Sequence, residues 1–135
     1  MATHNLFKHH ALNFSMTQKI LVTGGSGFIG CNILKYMMEK YPDYEFINYG
    51  KRDTDFLSFR NYKFIRGDIG NYKILTNALK GIDSVIHLAG ESNIEKFSKD
   101  ASKSMKSNVF GMLSLLESAR SNRINKIIYV STSEV

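Results

Sequence analysis

The sequence predicts an α/β fold in which a parallel sheet carries helices on both faces. Short apolar runs alternate with amphipathic segments from Lys19 onward, which is typical of repeated strand-helix-strand units. The first apolar run also ends in a glycine-rich turn that opens directly into a helical pattern. Because crossovers between parallel strands are almost always right-handed, we expect a doubly wound sheet with strand order 3-2-1-4-5.

The first half of the chain contains three predicted strands and one predicted helix. Lys19–Thr23 is a β-branched and aliphatic run that ends in glycines, and it is predicted to be a buried strand. Phe28–Lys40 is predicted to be a helix, and Pro42 follows the end of its pattern. Glu45–Tyr49 and Lys63–Arg66 are the second and third predicted strands. The apolar face of the helix is predicted to consist of Ile29, Ile33, Leu34 and Met37.

The second half contains two predicted helices and two predicted strands. Asn71–Lys80 is an amphipathic helix closed by Gly81, and Asp83–Leu88 is the fourth strand. A long helix over Lys99–Arg120 precedes the fifth strand, Lys126–Ser131. In both helices, apolar residues recur at steps of three or four, which identifies the face expected to be buried. These residues are Ile74, Leu75, Ala78 and Leu79 in the first helix and Ala101, Met105, Val109, Met112, Leu116 and Ala119 in the second.

Composition limits the class of protein. Residues 1–15 have no clear period and are expected to be a disordered extension, while residues 16–135 form one domain of ordinary size. No apolar run approaches the roughly 18 residues that span a bilayer, and the start lacks a secretory signal, so we expect a cytoplasmic protein without a membrane partner. The net charge of +6 comes from lysines spread along the chain, which argues against a nucleic-acid partner. The single cysteine excludes an internal disulfide, and no Cys or His cluster has metal-ligand spacing.

The strongest motif is Thr-Gly-Gly-Ser-Gly-Phe-Ile-Gly at 23–30. It fits the dinucleotide fingerprint Gly-x-Gly-x-x-Gly and lies between a predicted strand and a predicted helix, which is the context that the fingerprint requires. Glycines permit the tight turn, the close approach of the pyrophosphate and the packing of helix on strand. The helix N-terminus offers free N–H groups and a partial positive charge to the phosphates. The residues predicted to bind a cofactor here are Gly24, Gly27, Phe28, Ile29 and Gly30.

The end of the second strand bears on the choice of cofactor. In dinucleotide sites, an acidic residue about 20 residues after the glycines holds the adenine ribose hydroxyls. Gly50 occupies that place here, and Lys51 and Arg52 come next. A missing carboxylate removes a repulsion against a 2′-phosphate, and a neighbouring cation can pair with that phosphate. The pattern favours NADP, with Lys51 as a cofactor-binding residue, while NAD with ordinary loop charges at these positions stays open.

Four further motifs accompany the glycine-rich turn. They are Gly-Asp-Ile at 67–69, His-Leu-Ala-Gly-Glu-Ser at 87–92, Asn-Val-Phe-Gly at 108–111 and Ser-Thr-Ser-Glu-Val at 131–135. Together these motifs resemble the N-terminal half of the extended short-chain dehydrogenases/reductases that act on nucleotide sugars, the NAD-dependent epimerase/dehydratase family. That family includes epimerases, 4,6-dehydratases and UDP-glucuronate decarboxylases. The resemblance implies a Rossmann fold, NAD or NADP as cofactor, a UDP- or dTDP-linked sugar as substrate and, for the complete enzyme, a homodimer.

The resemblance also implies roles for residues at the strand ends. Asp68 would accept a hydrogen bond from the adenine amino group, and Ile69 would pack on the adenine ring. The alternative for Asp68 is an aspartate that caps a turn or helix. His87 and Asn108 are expected to be structural. The remaining residues implied to line the cofactor are Leu88, Ala89, Gly90 and Ser131.

The end of the fifth strand carries the chemistry of the family that the chain resembles. Thr132 matches the Ser or Thr that hydrogen-bonds the hydroxyl or carbonyl being oxidised or reduced, and Glu134 is the second implied catalytic residue. Dehydratases typically show Thr-Asp-Glu, in which the aspartic acid is a general acid. Ser133 stands in that place and is a poor proton donor at neutral pH, which argues against 4,6-dehydration. The motif at 87–92 is nearer to the dehydratases, so the reaction stays open.

The family's general base is a tyrosine with a lysine four residues later, beyond the fifth strand, where the lysine lowers the pKa of the tyrosine. The sequence given ends at Val135 before such a pair, and the same spacing at Tyr36 and Lys40 lies in the first helix. We therefore expect cofactor binding without turnover from these 135 residues alone. Two interpretations follow: the nucleotide-binding portion of an enzyme, or a non-catalytic NAD(P)-binding sensor or regulatory module.

Overall fold

The computed structural model describes residues 17–54, 56, 59–91 and 93–131. The predicted disordered extension of residues 1–15 lies outside the described residues. In the described part of the chain, five strands form one parallel sheet with the order β3-β2-β1-β4-β5, which confirms the predicted fold class and strand order. The strands are β1 Lys19–Thr23, β2 Glu45–Gly50, β3 Tyr62–Arg66, β4 Ser84–His87 and β5 Ile127–Tyr129.

The central strand of the sheet is β1, which pairs with β2 on one side and with β4 on the other. Thr23 at the end of β1 lies opposite Tyr49 in β2 and His87 in β4. The carboxyl ends of these three strands therefore meet at one edge. At this edge the strand order reverses, and open α/β sheets bind their ligands at such a point.

Helices cover both faces of the sheet. On one face, α1 packs the buried side chains of Leu34 and Met38 against β1 and β2. On the other face, α2 and α5 pack against a core that includes Leu21, Val85 and Leu115. The helices are α1 Phe28–Lys40, α2 Tyr72–Ala78, α3 Ile94–Lys99, α4 Ala101–Met105 and α5 Gly111–Ser121, with a π-helical segment at Lys106–Phe110 between α4 and α5.

The helix predicted over Lys99–Arg120 corresponds to a continuous helical stretch from Ala101 to Ser121, but it starts later than predicted and contains a π-helical segment. Asp100 sets the start, because its side chain accepts a hydrogen bond from the Lys103 amide at 2.9 Å and caps α4. The π-helical segment then has a wider turn than an α-helix and rotates the face that follows it. The buried residues are Ser104, Gly111, Leu115, Ser118 and Ala119. Of the predicted buried face, Met112 and Ala119 contact the core, and the residues that are exposed instead are Ala101, Met105, Val109 and Leu116.

The other two helices agree more closely with the sequence pattern. The bounds of α1 are those predicted, but Ile29 is exposed because it lies in the first turn beside the glycine loop, and Met38 fills the core instead. In and after α2, the buried residues are Leu75, Ala78 and Leu79 as predicted, whereas Ile74 is exposed. None of the helices in the described residues combines the length and the apolar character that a membrane crossing requires.

Candidate functional site

The glycine-rich turn connects β1 to α1 at the edge where β1, β2 and β4 end. Gly24 has a left-handed backbone with φ of 72°, and a Cβ added there would lie 2.7 Å from the Ala89 nitrogen. A side chain at Gly24 would therefore be both strained and obstructed. A Cβ added at Gly30 would collide with the backbone of Gly24 and Gly25. These contacts explain why the turn needs glycine at its first and last positions.

The start of α1 carries no side-chain cap. Gly27 is the N-cap residue, and it has extended backbone and no side chain to accept from the first amides. Helical geometry leaves those amides without partners inside the helix, and the helix dipole adds a partial positive charge. Phe28 and Ile29 in the first turn are 88% and 55% exposed. The turn therefore offers uncapped N–H groups to an anion.

A buried polar network holds the glycine-rich turn against the segment that follows β2. Asn48, fully buried in β2, donates from Nδ2 to the hydroxyls of Ser26 and Tyr62, both at 3.0 Å. The Ser26 hydroxyl donates in turn to the Arg52 carbonyl oxygen. The Tyr62 hydroxyl donates to Asp53 Oδ1 at 2.5 Å, and burial together with this bond raises the pKa of Tyr62. Sequence reasoning missed this network, although an asparagine inside an apolar strand is a detectable signal.

An ion pair joins the ends of β2 and β3. Lys51 Nζ lies 2.6 Å from Asp68 Oδ2, and Asp68 Oδ1 accepts a hydrogen bond from the Gly70 amide at 2.9 Å. Lys51 and the Gly70 amide both lower the pKa of Asp68. The Tyr49 hydroxyl, whose pKa is raised to about 12 by burial, donates to the Asp68 carbonyl oxygen at 2.9 Å. Both oxygens of the carboxylate predicted to hold the adenine amino group therefore already have partners.

The side chain of Ile69 faces the core. It is 6% exposed, and a Cβ added at Gly111 in α5 would lie only 2.6 Å from its Cγ2 atom. This packing explains why α5 begins with a glycine. The buried side chain of Ile69 therefore presents little surface to a ligand. Its contact with the adenine ring stays a prediction.

The segment at 88–90 continues from β4 across the edge of the sheet. Thr23 accepts two hydrogen bonds from this segment. The Leu88 amide donates to the Thr23 carbonyl oxygen at 3.0 Å, and the Ala89 amide donates to the Thr23 hydroxyl oxygen at 3.2 Å. Asn108 in the π-helical segment fixes the other end, since it accepts from the Glu91 amide at 2.7 Å and donates to the Glu91 carbonyl at 3.0 Å. The segment consists of Leu88 and Ala89, which are half-buried, and the exposed Gly90.

His87, the last residue of β4, lies next to this segment. It is 1% exposed, and its Nδ1 atom is 2.6 Å from the Thr23 hydroxyl oxygen. Its ring stacks on Tyr129 of β5, with ring centroids 5.6 Å apart. Burial lowers the pKa of His87, which favours the neutral imidazole. Such a buried ring cannot reach a substrate, in agreement with the expected structural role.

The residues predicted at the end of β5 are a cofactor-lining serine and two catalytic residues. The serine, Ser131, is exposed just beyond the end of the strand. Thr132 and Glu134 lie outside the described residues, so their catalytic roles stay predictions. Lys40 does donate a hydrogen bond to the Tyr36 hydroxyl at 2.8 Å, but both residues lie on the exposed last turns of α1, at the opposite edge of the sheet.

The glycine-rich turn, the uncapped start of α1 and the segment at 88–90 form one surface at the carboxyl edge of the sheet. Dinucleotides bind at this point in doubly wound sheets, because the helix N-terminus and the glycines together accommodate the pyrophosphate. The fold and the site therefore define a Rossmann-type dinucleotide-binding domain.

Comparison with known proteins identifies the family. The chain belongs to the NAD dependent epimerase/dehydratase family, which it matches over residues 20–135. It is 36% identical over 128 residues to a dTDP-D-glucose 4,6-dehydratase of Dictyostelium discoideum, a match that covers 87% of this chain and 30% of that protein.

Two solved structures extend the comparison. A UDP-glucose 4-epimerase from Brucella ovis in complex with NAD is 29% identical, with a TM-score of 0.76 over 87% of this chain and 36% of the other. A dTDP-glucose 4,6-dehydratase from Streptomyces venezuelae, with NAD and TYD bound, is 28% identical, with a TM-score of 0.73 over 82% of this chain and 38% of the other. The chain therefore spans 30–38% of the length of these relatives.

Proposed function

We propose that this chain is the NAD-binding portion of an enzyme that acts on a UDP- or dTDP-linked sugar. The observation that carries the proposal is the uncapped start of α1 at Gly27, in the same turn whose Gly24 lies against Ala89 at the end of β4. The names of the relatives, which are dehydratases and epimerases, support the substrate class. A non-catalytic sensor has no comparable support.

The glycine-rich turn would hold the pyrophosphate, and the segment at 88–90 would line the path toward the nicotinamide. A phosphate at the start of α1 would accept hydrogen bonds from the first-turn amides and lie in the positive field of the helix dipole. The residues in contact with the dinucleotide would be Gly24, Gly27, Phe28, Ile29, Gly30, Leu88, Ala89, Gly90 and Ser131.

The ends of β2 and β3 would receive the adenosine. Asp68 would accept from the adenine amino group beside Ile69, with Lys51 as its neighbour. We propose NAD rather than NADP, because the Lys51 ammonium is already paired with Asp68 at 2.6 Å. The two solved relatives described above also contain NAD. NADP, which the sequence favoured through Lys51 and Arg52, is the alternative that the experiment must separate.

Gly50→Asp tests this assignment of the adenosine site. A Cβ at Gly50 would lie 3.9 Å from its nearest neighbour, the Arg52 carbonyl oxygen, so the fold has room for the side chain. The new carboxylate would accept from the ribose hydroxyls and repel a 2′-phosphate. By calorimetry we expect the parent to bind NAD more tightly than NADP, and the variant to increase that ratio about tenfold, or about 1.4 kcal/mol.

Gln18→Glu is the matched control, because it adds the same charge at the opposite edge of the sheet, just before β1. It should leave the ratio of NAD to NADP affinity unchanged. A parent that prefers NADP, or a Gly50→Asp variant with an unchanged ratio, would contradict the proposed adenosine site. A parent that binds neither dinucleotide would contradict the proposed function.

The end of β5 would supply the catalytic groups. Thr132 would hydrogen-bond the hydroxyl or carbonyl that exchanges hydride with the cofactor, and Glu134 would assist proton transfer. Ser133 stands where dehydratases have an aspartic acid, so we favour epimerisation or decarboxylation over 4,6-dehydration. The product of the gene's whole reading frame should be assayed with UDP-glucose, UDP-glucuronate and dTDP-glucose. Thr132→Ala should lower kcat by about 10²-fold. A 4-keto-6-deoxy product from the parent would contradict the preference for epimerisation or decarboxylation over 4,6-dehydration.

We also propose that the complete protein forms a homodimer through an apolar strip along α4 and α5. These exposed side chains recur at successive helical turns, so two copies related by a two-fold axis would bury the same surface on each other. The strip consists of Met105, Val109, Phe110, Leu113 and Leu116. A cytoplasmic location stays a prediction.

A further inference from the structure

We propose that His87 is a positioning residue of the dinucleotide site, which acts through the Thr23 hydroxyl on the Ala89 amide. The inference rests on the dinucleotide-binding function proposed above. Thr23 is fully buried at the end of β1, and its hydroxyl oxygen has two neighbours. It accepts from the Ala89 amide at 3.2 Å and lies 2.6 Å from His87 Nδ1.

The direction of the bond between Thr23 and His87 follows from counting hydrogens. The Thr23 hydroxyl has one hydrogen, and a buried hydroxyl hydrogen needs an acceptor. Among the described residues, His87 Nδ1 is the acceptor within hydrogen-bond distance of that oxygen. Nδ1 is therefore unprotonated, and the neutral ring carries its proton on Nε2. Stacking on Tyr129, with an interplanar angle of 25°, holds the ring in this orientation.

The position of Ala89 matters because its backbone touches the phosphate-binding turn. A Cβ added at Gly24 would lie 2.7 Å from the Ala89 nitrogen and 2.9 Å from its Cα atom, so the two backbones are in close contact. When the Thr23 hydrogen points to His87, a lone pair of the hydroxyl oxygen faces the Ala89 N–H. His87 thereby sets the spacing between the turn that would hold the pyrophosphate and the segment that would line the nicotinamide.

The same histidine also contacts the strand that leads to the predicted catalytic residues. Its ring packs on Tyr129, and its carbonyl oxygen accepts from the Val130 amide at 3.3 Å. One buried side chain thus links the ends of β1, β4 and β5. A change at His87 should therefore alter ligand affinity more than an equally buried change elsewhere.

Two substitutions at His87 separate positioning from simple packing. His87→Asn keeps an acceptor near the place of Nδ1, whereas His87→Leu fills similar volume without one. We expect His87→Leu to weaken NAD binding to the 135-residue chain about tenfold or more, because the Ala89 amide loses its oriented acceptor. His87→Asn should restore most of that affinity. Thr23→Val should reproduce the loss, and it carries the test if His87→Leu does not fold.

Thr76→Val is the matched control, since the Thr76 hydroxyl also hydrogen-bonds a buried partner, Ser118, at 2.8 Å. That bond lies between α2 and α5, so its loss should lower Tm and leave the NAD dissociation constant unchanged. In the parent, nitrogen-15 NMR of the imidazole should report a proton on Nε2.

The outcomes separate this inference from the function on which it rests. A proton on Nδ1, or equal NAD affinity in the parent, His87→Leu and Thr23→Val, overturns the positioning role and leaves the proposed function intact. A parent with the proton on Nε2 that does not bind NAD overturns the proposed function, and the positioning role falls with it.

Discussion

Lys51 and Asp68 form an ion pair of 2.6 Å across the ends of β2 and β3, where the adenosine of a dinucleotide would bind. Both side chains are more than half exposed to solvent, so the pair contributes little to stability. Its consequence is electrostatic, because Lys51, the cation that follows Gly50 in the chain, already has a carboxylate partner. A cofactor with an additional phosphate would have to compete with Asp68 for Lys51.

The double variant Lys51→Ala and Arg52→Ala should therefore weaken NAD and NADP binding by similar factors. In the proposed site Lys51 is paired with Asp68 and Arg52 does not contact the cofactor, so the ratio of the two dissociation constants should change less than about threefold. Calorimetry with both cofactors measures this ratio. Lys80→Ala with Arg123→Ala, two exposed positions elsewhere, controls for the loss of two charges. A loss confined to NADP would favour the NADP alternative.

Gly27→Val should abolish dinucleotide binding while the fold survives. A Cβ at this position would lie 3.3 Å from its nearest neighbour, the Gly24 carbonyl oxygen. Gly27 has an extended backbone, which valine can adopt. The larger side chain would nevertheless occupy the space above the uncapped amides of α1. We expect at least a 100-fold loss in NAD affinity, about 2.7 kcal/mol, with an unchanged circular dichroism spectrum. Undiminished binding would mean that the phosphates lie elsewhere.

The stability of the fold should fall in mild acid because of His87. Burial lowers the pKa of His87 in the folded state below its ordinary value of 6.5. Above pH 6.5 the imidazole is neutral in both states, and below it the unfolded chain binds the proton first. The free energy of unfolding should thus decrease from pH 6.5 downward, by at most about 1.4 kcal/mol per pH unit. Urea unfolding between pH 7.5 and 5.5 should show a weaker dependence in His87→Asn, and identical slopes would refute this origin.

Leu113→Glu should prevent self-association of the complete protein. Leu113 is 52% exposed on α5, at the middle of the apolar strip, and a carboxylate there would be desolvated at a two-fold interface. Light scattering should report a dimer for the parent and a monomer for the variant. Tyr36→Glu introduces the same charge at an exposed residue of α1, on the other face of the sheet, and should remain dimeric. A monomeric parent would exclude the proposed interface.

The strands and the glycine-rich turn could be predicted because their causes are local. The bounds of Lys19–Thr23 and Phe28–Lys40 agree at both ends with the structure, since an apolar run, a glycine cluster and a following proline mark them in the sequence. The buried face of α5 could not be predicted in the same way. Periodicity assumes a constant turn per residue, and the π-helical segment at Lys106–Phe110 breaks that assumption.

The partners in the polar contacts of the site could not be predicted either, because they are distant in the chain. Asn48 bonds to Ser26 and Tyr62, which are 22 and 14 residues away, and only the paired strands bring them together. Lys51 was predicted to serve the cofactor, but the sequence does not reveal that Asp68 lies within reach of it. Tertiary pairing, rather than residue type, decides which polar groups meet.

The π-helical segment makes the geometry of the site depend on a residue count. An α-helix advances by about 100° for each residue, and a π-turn accommodates one more residue than an α-turn. A helix with one residue fewer and no π-turn covers about the same total rotation, so deletion of a single residue from Lys106–Phe110 would restore ordinary α-helix and leave α4 and α5 in nearly the same relative orientation. The change would fall within the segment itself, where Asn108 makes two hydrogen bonds to the Glu91 backbone. The deletion would thus be felt at the end of β4 before it disturbed the core.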